Sequence, residues 1–448
     1  MKAKETISVF GLGKLGCTML SCFAHKGWQV IGVDVVKEVV EAVKNGVSPI
    51  YEPGVNELLK NNKQHISATM NPREAILSSD VSFVIVPTPS NNDGSFNTKF
   101  VEAAVAEIGS VLQAKDGYHL VVITSTVLPG DMEFIVNLLE RTSGKKVGHG
   151  FGVCYNPDFI ALGRIVHDFL NPDMVLIGES DEKAGTILAG IHHNLVDNNP
   201  TIHRMNFHNA ELTKIALNSF CTLKITFANI LAEICEKMPG GDVHAVTTAL
   251  GDDTRIGNRY LKGGLSYGGP CFPRDNRAFA HSAHKFGVTH HLANRTDEIN
   301  DFQRNTRIGD LLMDMLNEKK TNHLSILGLT YKENSTLVEE SAAISIIESL
   351  AKKGVEIAVY DPVAIEEARV ELKNIEKIKY ARSAYDCLRG TKVCFVATPW
   401  AEFKKLTRED FLTTMEKPVI FDAWNLYAFE NDDRIDYRQI GKATVNEI

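Results

Sequence analysis

Ile7-Ser8-Val9-Phe10-Gly11-Leu12-Gly13-Lys14-Leu15-Gly16 opens an apolar helical pattern that runs to about Lys26, and Gln29-Val30-Ile31-Gly32-Val33-Asp34 follows it. The order is strand, glycine-rich turn, helix, second strand, acid. This is the GxGxxG fingerprint in the strand–turn–helix setting that gives it meaning. Gly11 makes the tight turn, Gly13 lets the backbone approach a pyrophosphate, and Gly16 allows close packing of helix on strand. Asp34 lies close to the spacing at which an acid grips the ribose hydroxyls, which favours NAD over NADP.

The alternation of strand and helix continues. Residues 81–86 form the continuous apolar run of a buried parallel strand, and Pro87-Thr88-Pro89 ends it. Residues 119–124 lead into Ser125-Thr126-Val127, and residues 151–154 into Tyr155-Asn156-Pro157-Asp158. Ligands of open α/β sheets sit outside the carboxyl ends of the strands. Thr88, Thr126, Asn156 and Asp158 all fall there. Each alone reads better as a turn former or helix cap, the commoner job; together, in a sheet with the fingerprint, they favour a site.

Residues 207–238 hold no proline or glycine and repeat apolar residues at helical spacing. That predicts one helix of about 45 Å at about 1.5 Å per residue. Lys214 and Asn218 are an i, i+4 pair on one of its faces. A shorter helix is expected at 242–250. Then comes Ser266-Tyr267-Gly268-Gly269-Pro270-Cys271-Phe272-Pro273-Arg274-Asp275. Paired glycines let another group approach the backbone closely, and the prolines argue against a continuous helix. The expected result is a shaped loop presenting the Cys271 thiol beside Arg274 and Asp275, with helix resuming over 276–318 and breaking near Gly287. A second alternating block begins at 323–327 and continues through Gly328-Leu329-Thr330-Tyr331-Lys332 and strands at 355–360, 393–397 and 419–421. It lacks a GxGxxG turn, so a nucleotide at its strand ends fits better than a second dinucleotide. The tail after about Ala428 looks peripheral.

These elements predict an α/β protein of two Rossmann-like parallel-sheet domains joined by a long central helix and a helical dimerisation region. The expected divisions are 1–200, 201–318 and 319–448, and 448 residues are too many for one core. A net charge of −8 argues against a general nucleic-acid binder. No unbroken run of about eighteen apolar residues occurs, so no membrane span is expected, and the N-terminus enters a strand too early for a signal peptide. The eight cysteines are dispersed and form no CxxC pair. Neither a metal site nor a disulfide framework is expected, and a reducing cytoplasm fits.

With these motifs in hand the chain resembles the UDP-glucose/GDP-mannose dehydrogenase family, the nucleotide-sugar 6-dehydrogenases. The resemblance rests on the fingerprint with Asp34, Tyr51-Glu52-Pro53-Gly54, Pro87-Thr88-Pro89, Ser125-Thr126-Val127 and Asn156-Pro157-Asp158-Phe159. It continues through Lys214-Ile215-Ala216-Leu217-Asn218, Arg255-Ile256-Gly257, the Cys271 loop and Gly328-Leu329-Thr330-Tyr331-Lys332. It implies oxidation of a UDP- or GDP-linked sugar at its C6 alcohol to the carboxylate, using two NAD, in a homodimer built on the central helix. Cys271 would capture the aldehyde as a thiohemiacetal, which is oxidised to a thioester and hydrolysed. Lys214 and Asn218 would stabilise the oxyanion, Asp275 would position or deprotonate a water or the thiol, Thr126 would order a water, and Asp158 would be the base for hydrolysis. The cofactor set implied is Gly11, Gly13, Lys14, Leu15, Gly16, Asp34, Lys37, Thr88, Thr126 and Arg274. The substrate set is Phe159, Ile160, Lys214, Asn218, Arg255, Tyr260, Tyr267, Gly268 and Lys332, with Arg255 reaching the sugar of the neighbouring subunit.

The chain departs from the family in places. Asp158 stands where Glu is usual, Leu162 where a second Glu is usual, Arg274 for a lysine, Ser266 for a glycine, Met174 for an arginine, and Glu339 for an arginine. These changes leave three readings open: full oxidation to the uronate, oxidation arrested at the aldehyde or thioester on an unusual nucleotide sugar, or a catalytically weak NAD-binding regulatory homologue.

Overall fold

The computed structural model describes residues 4–289, 291–429 and 432–443. Its contacts divide into two compact units, one running through Ala216 and including His284–Phe286, the other formed by Leu217–Ala283 and the chain from Gly287 on. The boundary falls inside the long helix.

The first unit holds a nine-stranded sheet among the described residues. Its strands are β1 (Ile7–Phe10), β2 (Val30–Val33), β3 (Ile66–Thr69), β4 (Val81–Val84), β5 (His119–Ile123), β6 (Lys146–Val147), β7 (Gly150–Tyr155), β8 (Met174–Glu179) and β9 (Thr201–Met205). They lie in the order β3-β2-β1-β4-β5-β7-β8-β9, with β6 against β7. Pairing is parallel except between β7 and β8. The run 3-2-1-4-5 is that of a doubly wound dinucleotide fold, with its switch point between β1 and β4. β1, β4 and β5 are buried along their whole length, which is why they read as largely apolar runs, broken only by the buried Ser8, Ser82 and His119.

The second unit holds β10 (His323–Leu327), β11 (Glu356–Tyr360), β12 (Ile378–Tyr380), β13 (Val393–Val396), β14 (Val419–Asp422) and β15 (Asp436–Gln439). All pairs are parallel, in the order β12-β11-β10-β13-β14-β15. Counted from β10 this is 3-2-1-4-5-6, the full doubly wound order, so the second block repeats the architecture of the first. The C-terminal segment is not peripheral. β15 closes the sheet edge, Ile435 and Ile440 are buried, and Gly441 N donates to Glu236 Oε1 at 2.7 Å. Its sequence misled because four residues of strand on a sheet edge need few apolar side chains.

The helix Phe207–Lys237 is continuous, as expected. By length and composition it is long and apolar enough to cross a membrane: its most apolar 18-residue window has a mean hydropathy of 1.4 and is half buried. The sequence holds no unbroken apolar run there because polar residues are scattered along the helix. Those residues are tied into the fold. Glu211 is fully buried and accepts from Gly130 N and Met132 N at 3.0 and 2.8 Å. Asn229 accepts from Gly264 N at 3.0 Å and donates to Leu265 O at 3.2 Å.

Candidate active site

In the first unit the glycine turn follows β1. Gly11 has φ of +92°, and a Cβ there would meet Ile85 O at 2.4 Å. A Cβ on Gly16 would lie 1.8 Å from Gly11 O, so only glycine permits this approach of turn to helix. A Cβ on Gly13 would meet nothing within 4 Å. Gly13 therefore faces open space, at the start of the helix Lys14–His25, whose first turn has no side-chain cap. Uncapped N–H groups at a helix N-terminus beside an open glycine form a cradle that fits a pyrophosphate. Asp34, just past β2, holds the turn in place by accepting from Leu12 N at 2.7 Å and Val36 N at 2.9 Å. Lys37 begins the next helix and is exposed.

Thr88, Thr126 and the run Asp158-Phe159-Ile160 follow β4, β5 and β7. These strands are adjacent and parallel, so their carboxyl ends share one sheet edge with that of β1. Thr88 is buried. Lys214 is also buried; its Nζ donates to Asp158 O at 2.5 Å and lies 4.7 Å from the centre of the Phe159 ring. Burial pushes the Asp158 carboxyl up to about 7, against the pull of Lys214. Asn156 serves the scaffold instead, donating from Nδ2 to Leu176 O at 2.9 Å. Glu52, from the Tyr51–Gly54 turn, accepts from Gly163 N and Ile165 N at 3.0 Å each, and so steadies the segment after Ile160.

In the second unit the loop expected at Cys271 turns into helix at once. The helix runs Phe272–Lys285, because Pro273 sits in its first turn, where the missing N–H costs nothing. Cys271 directly precedes it and is exposed; its carbonyl accepts from Asp275 N at 2.8 Å. Asp275 is fully buried. Its Oδ2 accepts from Asn218 Nδ2 at 2.6 Å and its Oδ1 from Arg274 Nε at 2.8 Å. Cys271, Arg274, Asp275 and Asn218 thus form one connected group.

The paired glycines admit the protein's own chain. A Cβ on Gly268 would lie 2.1 Å from Glu340 O, and one on Gly269 2.5 Å from the Tyr331 ring. This seats the cysteine loop on the segment that follows β10, which carries Lys332. The corresponding turn there copies the first unit: Gly328 has φ of +97°, and Asp361 after β11 accepts from Leu329 N at 2.8 Å. Asp361 is buried and also takes Trp400 Nε1 at 3.1 Å, so it is closed to a ribose. Tyr267 is buried with its hydroxyl donating to Asp297, and Asn300 brackets its backbone. Tyr260 is half exposed, packs edge-on against Phe272 and has φ of +62°. Arg255 is exposed and paired with Asp253. Glu339 is exposed, whereas its neighbour Glu340 is clamped by Arg277 and Arg304 at 2.6 Å each. Asp297, Asn300, Arg277 and Arg304 had no legible signal, lying in an ordinary amphipathic helical stretch.

Three family models match successive parts of the chain: the NAD-binding domain of the UDP-glucose/GDP-mannose dehydrogenase family at residues 5–196, its central domain at 208–302 and its UDP-binding domain at 325–429. The UDP-glucose 6-dehydrogenase TuaD of Bacillus subtilis is 34% identical over 98% of this chain and 94% of its own. The UDP-glucose 6-dehydrogenase AglM of Haloferax volcanii is 35% identical over 93% and 96%. The solved structure of a UDP-glucose dehydrogenase from the archaeon Pyrobaculum islandicum superposes with a TM-score of 0.87, at 30% identity and 99% coverage of both chains. The glycine cradle, the cysteine at a helix start and the two doubly wound sheets agree with that likeness: the chain belongs to the UDP-glucose/GDP-mannose dehydrogenase family, with NAD as its cofactor.

Proposed function

We propose that this chain is an NAD-dependent dehydrogenase that oxidises the C6 alcohol of a UDP-linked hexose to the carboxylate, with UDP-glucose the first substrate to test. The observation that carries the reading is Cys271, exposed at the start of a helix whose buried Asp275 is bonded to both Asn218 and Arg274. A thiol at a helix N-terminus is of the reactive kind. NAD would bind with its pyrophosphate on the glycine cradle and would supply the oxidising power, two NAD in succession taking one hydride each from C6. The protein's residues do the rest. Cys271 Sγ adds to the aldehyde carbon, and after the second oxidation the acyl group is held as a thioester. A water then supplies the second carboxylate oxygen, and the thiol regains its proton. Lys214 and Asn218 stabilise negative charge on the carbonyl oxygen. Asp158, titrating near neutrality, takes the proton of the attacking water. Thr126 orders a water. Lys332, on the turn at the switch point of the second sheet, holds the nucleotide.

The same reading makes the chain a cytoplasmic homodimer with divisions at 1–200, 201–318 and 319–448. Phe220, Phe227 and Ile234 recur every seven residues along the long helix and are each about half exposed or more. An apolar stripe of that period suits a helix–helix interface. The test is purified protein with NAD and a panel of UDP- and GDP-sugars: two NADH per sugar and a uronate product are expected. Failure of every sugar nucleotide to reduce NAD overturns the reading; one NADH with a persistent adduct on Cys271 replaces it with an arrested oxidation.

A further inference from the structure

Behind Asp158 the first unit contains a small cavity of about 30 Å³, lined by Asn156, Asp158, Asp168 and His192 among apolar neighbours. Two buried polar atoms on these residues have no hydrogen-bond partner: Asp158 Oδ2 and His192 Nδ1. Such atoms cost about 1–3 kcal/mol each when left alone, and two of them on one cavity point to a shared occupant. A single water needs about 10–15 Å³ and two or more polar partners, and both conditions are met.

The tautomer of His192 follows from its neighbours. Asn156 commits Nδ2 to Leu176 O at 2.9 Å, which leaves Oδ1 facing His192 Nε2 at 2.8 Å. Nε2 must therefore carry the proton and donate. Burial holds His192 down to about 4, so the ring is neutral and Nδ1 is a bare acceptor. Of the other charged groups, Asp168 is engaged by Ala161 N and Arg164, and Lys214 turns to the Asp158 carbonyl; His193 neighbours His192 and opposes its protonation.

We propose that one buried water joins His192 Nδ1 to Asp158 Oδ2, making His192 a positioning residue that fixes and solvates the carboxyl from behind. The water donates one hydrogen to Nδ1 and its second to the ionised carboxylate, or accepts from the protonated carboxyl. This compensates for the short aspartate side chain, which is braced from its inner side. The inference rests on Asp158 being the base for thioester hydrolysis.

The test combines structure, spectroscopy and kinetics. A crystal structure of the wild-type protein should show a water within hydrogen-bond distance of both atoms, and ¹⁵N NMR should show His192 in the Nε2–H form down to pH 5. His192→Phe fills the cavity and removes the water, so Asp158 loses a solvating donor. Its hydrolysis step, followed in single turnover by the mass of the Cys271 adduct, should slow about fivefold at pH 7 with its pH midpoint raised by about one unit; the first NADH should form at the wild-type rate. A dry cavity, the Nδ1–H tautomer, or an unmoved pH midpoint overturns the proposal. Asp158→Asn separates the two ideas: if it hydrolyses the thioester normally, the base assignment fails; if it stalls while His192→Phe leaves the midpoint unmoved, only the water link fails.

Discussion

Replacing Asp158 by Asn should make the protein more stable at alkaline pH while it stalls uronate formation. Burial raises the carboxyl from 3.8 to about 7 in the folded chain. Below pH 4 both folded and unfolded forms are protonated and the burial has no ionisation cost. Between about 4 and 7 the folded state holds a proton that the unfolded state has released, so stability falls by about 1.4 kcal/mol per pH unit. Above 7 both are ionised and the full cost, about 4 kcal/mol, is present. Asparagine has no such cost at any pH. The difference between variant and wild type should therefore move in favour of the variant by about 3 kcal/mol from pH 5 to pH 8. At about 2–4 °C per kcal/mol for a unit of this size, that is a relative gain in Tm of about 6–12 °C. Thermal melts of both proteins at pH 5, 6, 7 and 8 read it directly, and the gain should level off above pH 7. A difference in Tm that is constant across this range would refute the assignment of a neutral-pH carboxyl to Asp158, whatever the effect on activity.

Gly13→Ala should fold with wild-type stability, since its Cβ enters open space, yet bind NADH at least tenfold more weakly by fluorescence titration; unchanged affinity would mean that the pyrophosphate does not approach this turn. Cys271→Ser should leave the melting temperature within about 1 °C, the side chain being exposed, and abolish the mass adduct and the second NADH. Phe227→Glu, in the exposed stripe of the long helix, should convert a dimer to a monomer by light scattering; a dimer that survives places the interface elsewhere.

Both sheets were legible because their strands are buried on both faces and so read as continuous apolar runs bounded by turn residues. The glycine turn was legible for a different reason: Gly11 and Gly16 answer close contacts that no other residue tolerates. What the sequence hid is of two kinds. β3, β6, β9, β12 and β15 are short or mixed in character and depend on a neighbouring strand already being in place, whereas β8 is an apolar run like those that were read. The supports of the site, such as Glu340 with Arg277 and Arg304, or His192 with Asn156, join residues 36 or more apart in the chain. Nothing local distinguishes them from surface charge or a core histidine.

The Cys271 segment shows how a correct motif can carry an incomplete physical reading. Two glycines were expected to let another group approach the backbone, without saying which, and two prolines to bar a continuous helix. The glycines do admit neighbours, Glu340 O and the Tyr331 ring, whereas Pro273 lies in a first turn that tolerates it. The consequence for chemistry is favourable. A thiol on an open loop would pay the entropy of ordering at each turnover; here the loop is seated on the segment after β10 that carries Lys332, and the thiol stands at a helix start fixed by Asp275. The departures at Glu339 and Leu162 then separate by location. Glu339 is exposed beside a neighbour, Glu340, that two arginines already neutralise, so the charge reversal lies outside the buried clamp. The loss of a carboxylate at Leu162 falls in the segment after Asp158, and it leaves Asp158 as the carboxyl on that strand end with its ionisation poised near neutrality. If Asp158 is the base, as proposed, the pH profile of hydrolysis should show a single ionisation on the acid limb, near 7; two ionisations there would mean that a second group shares the work.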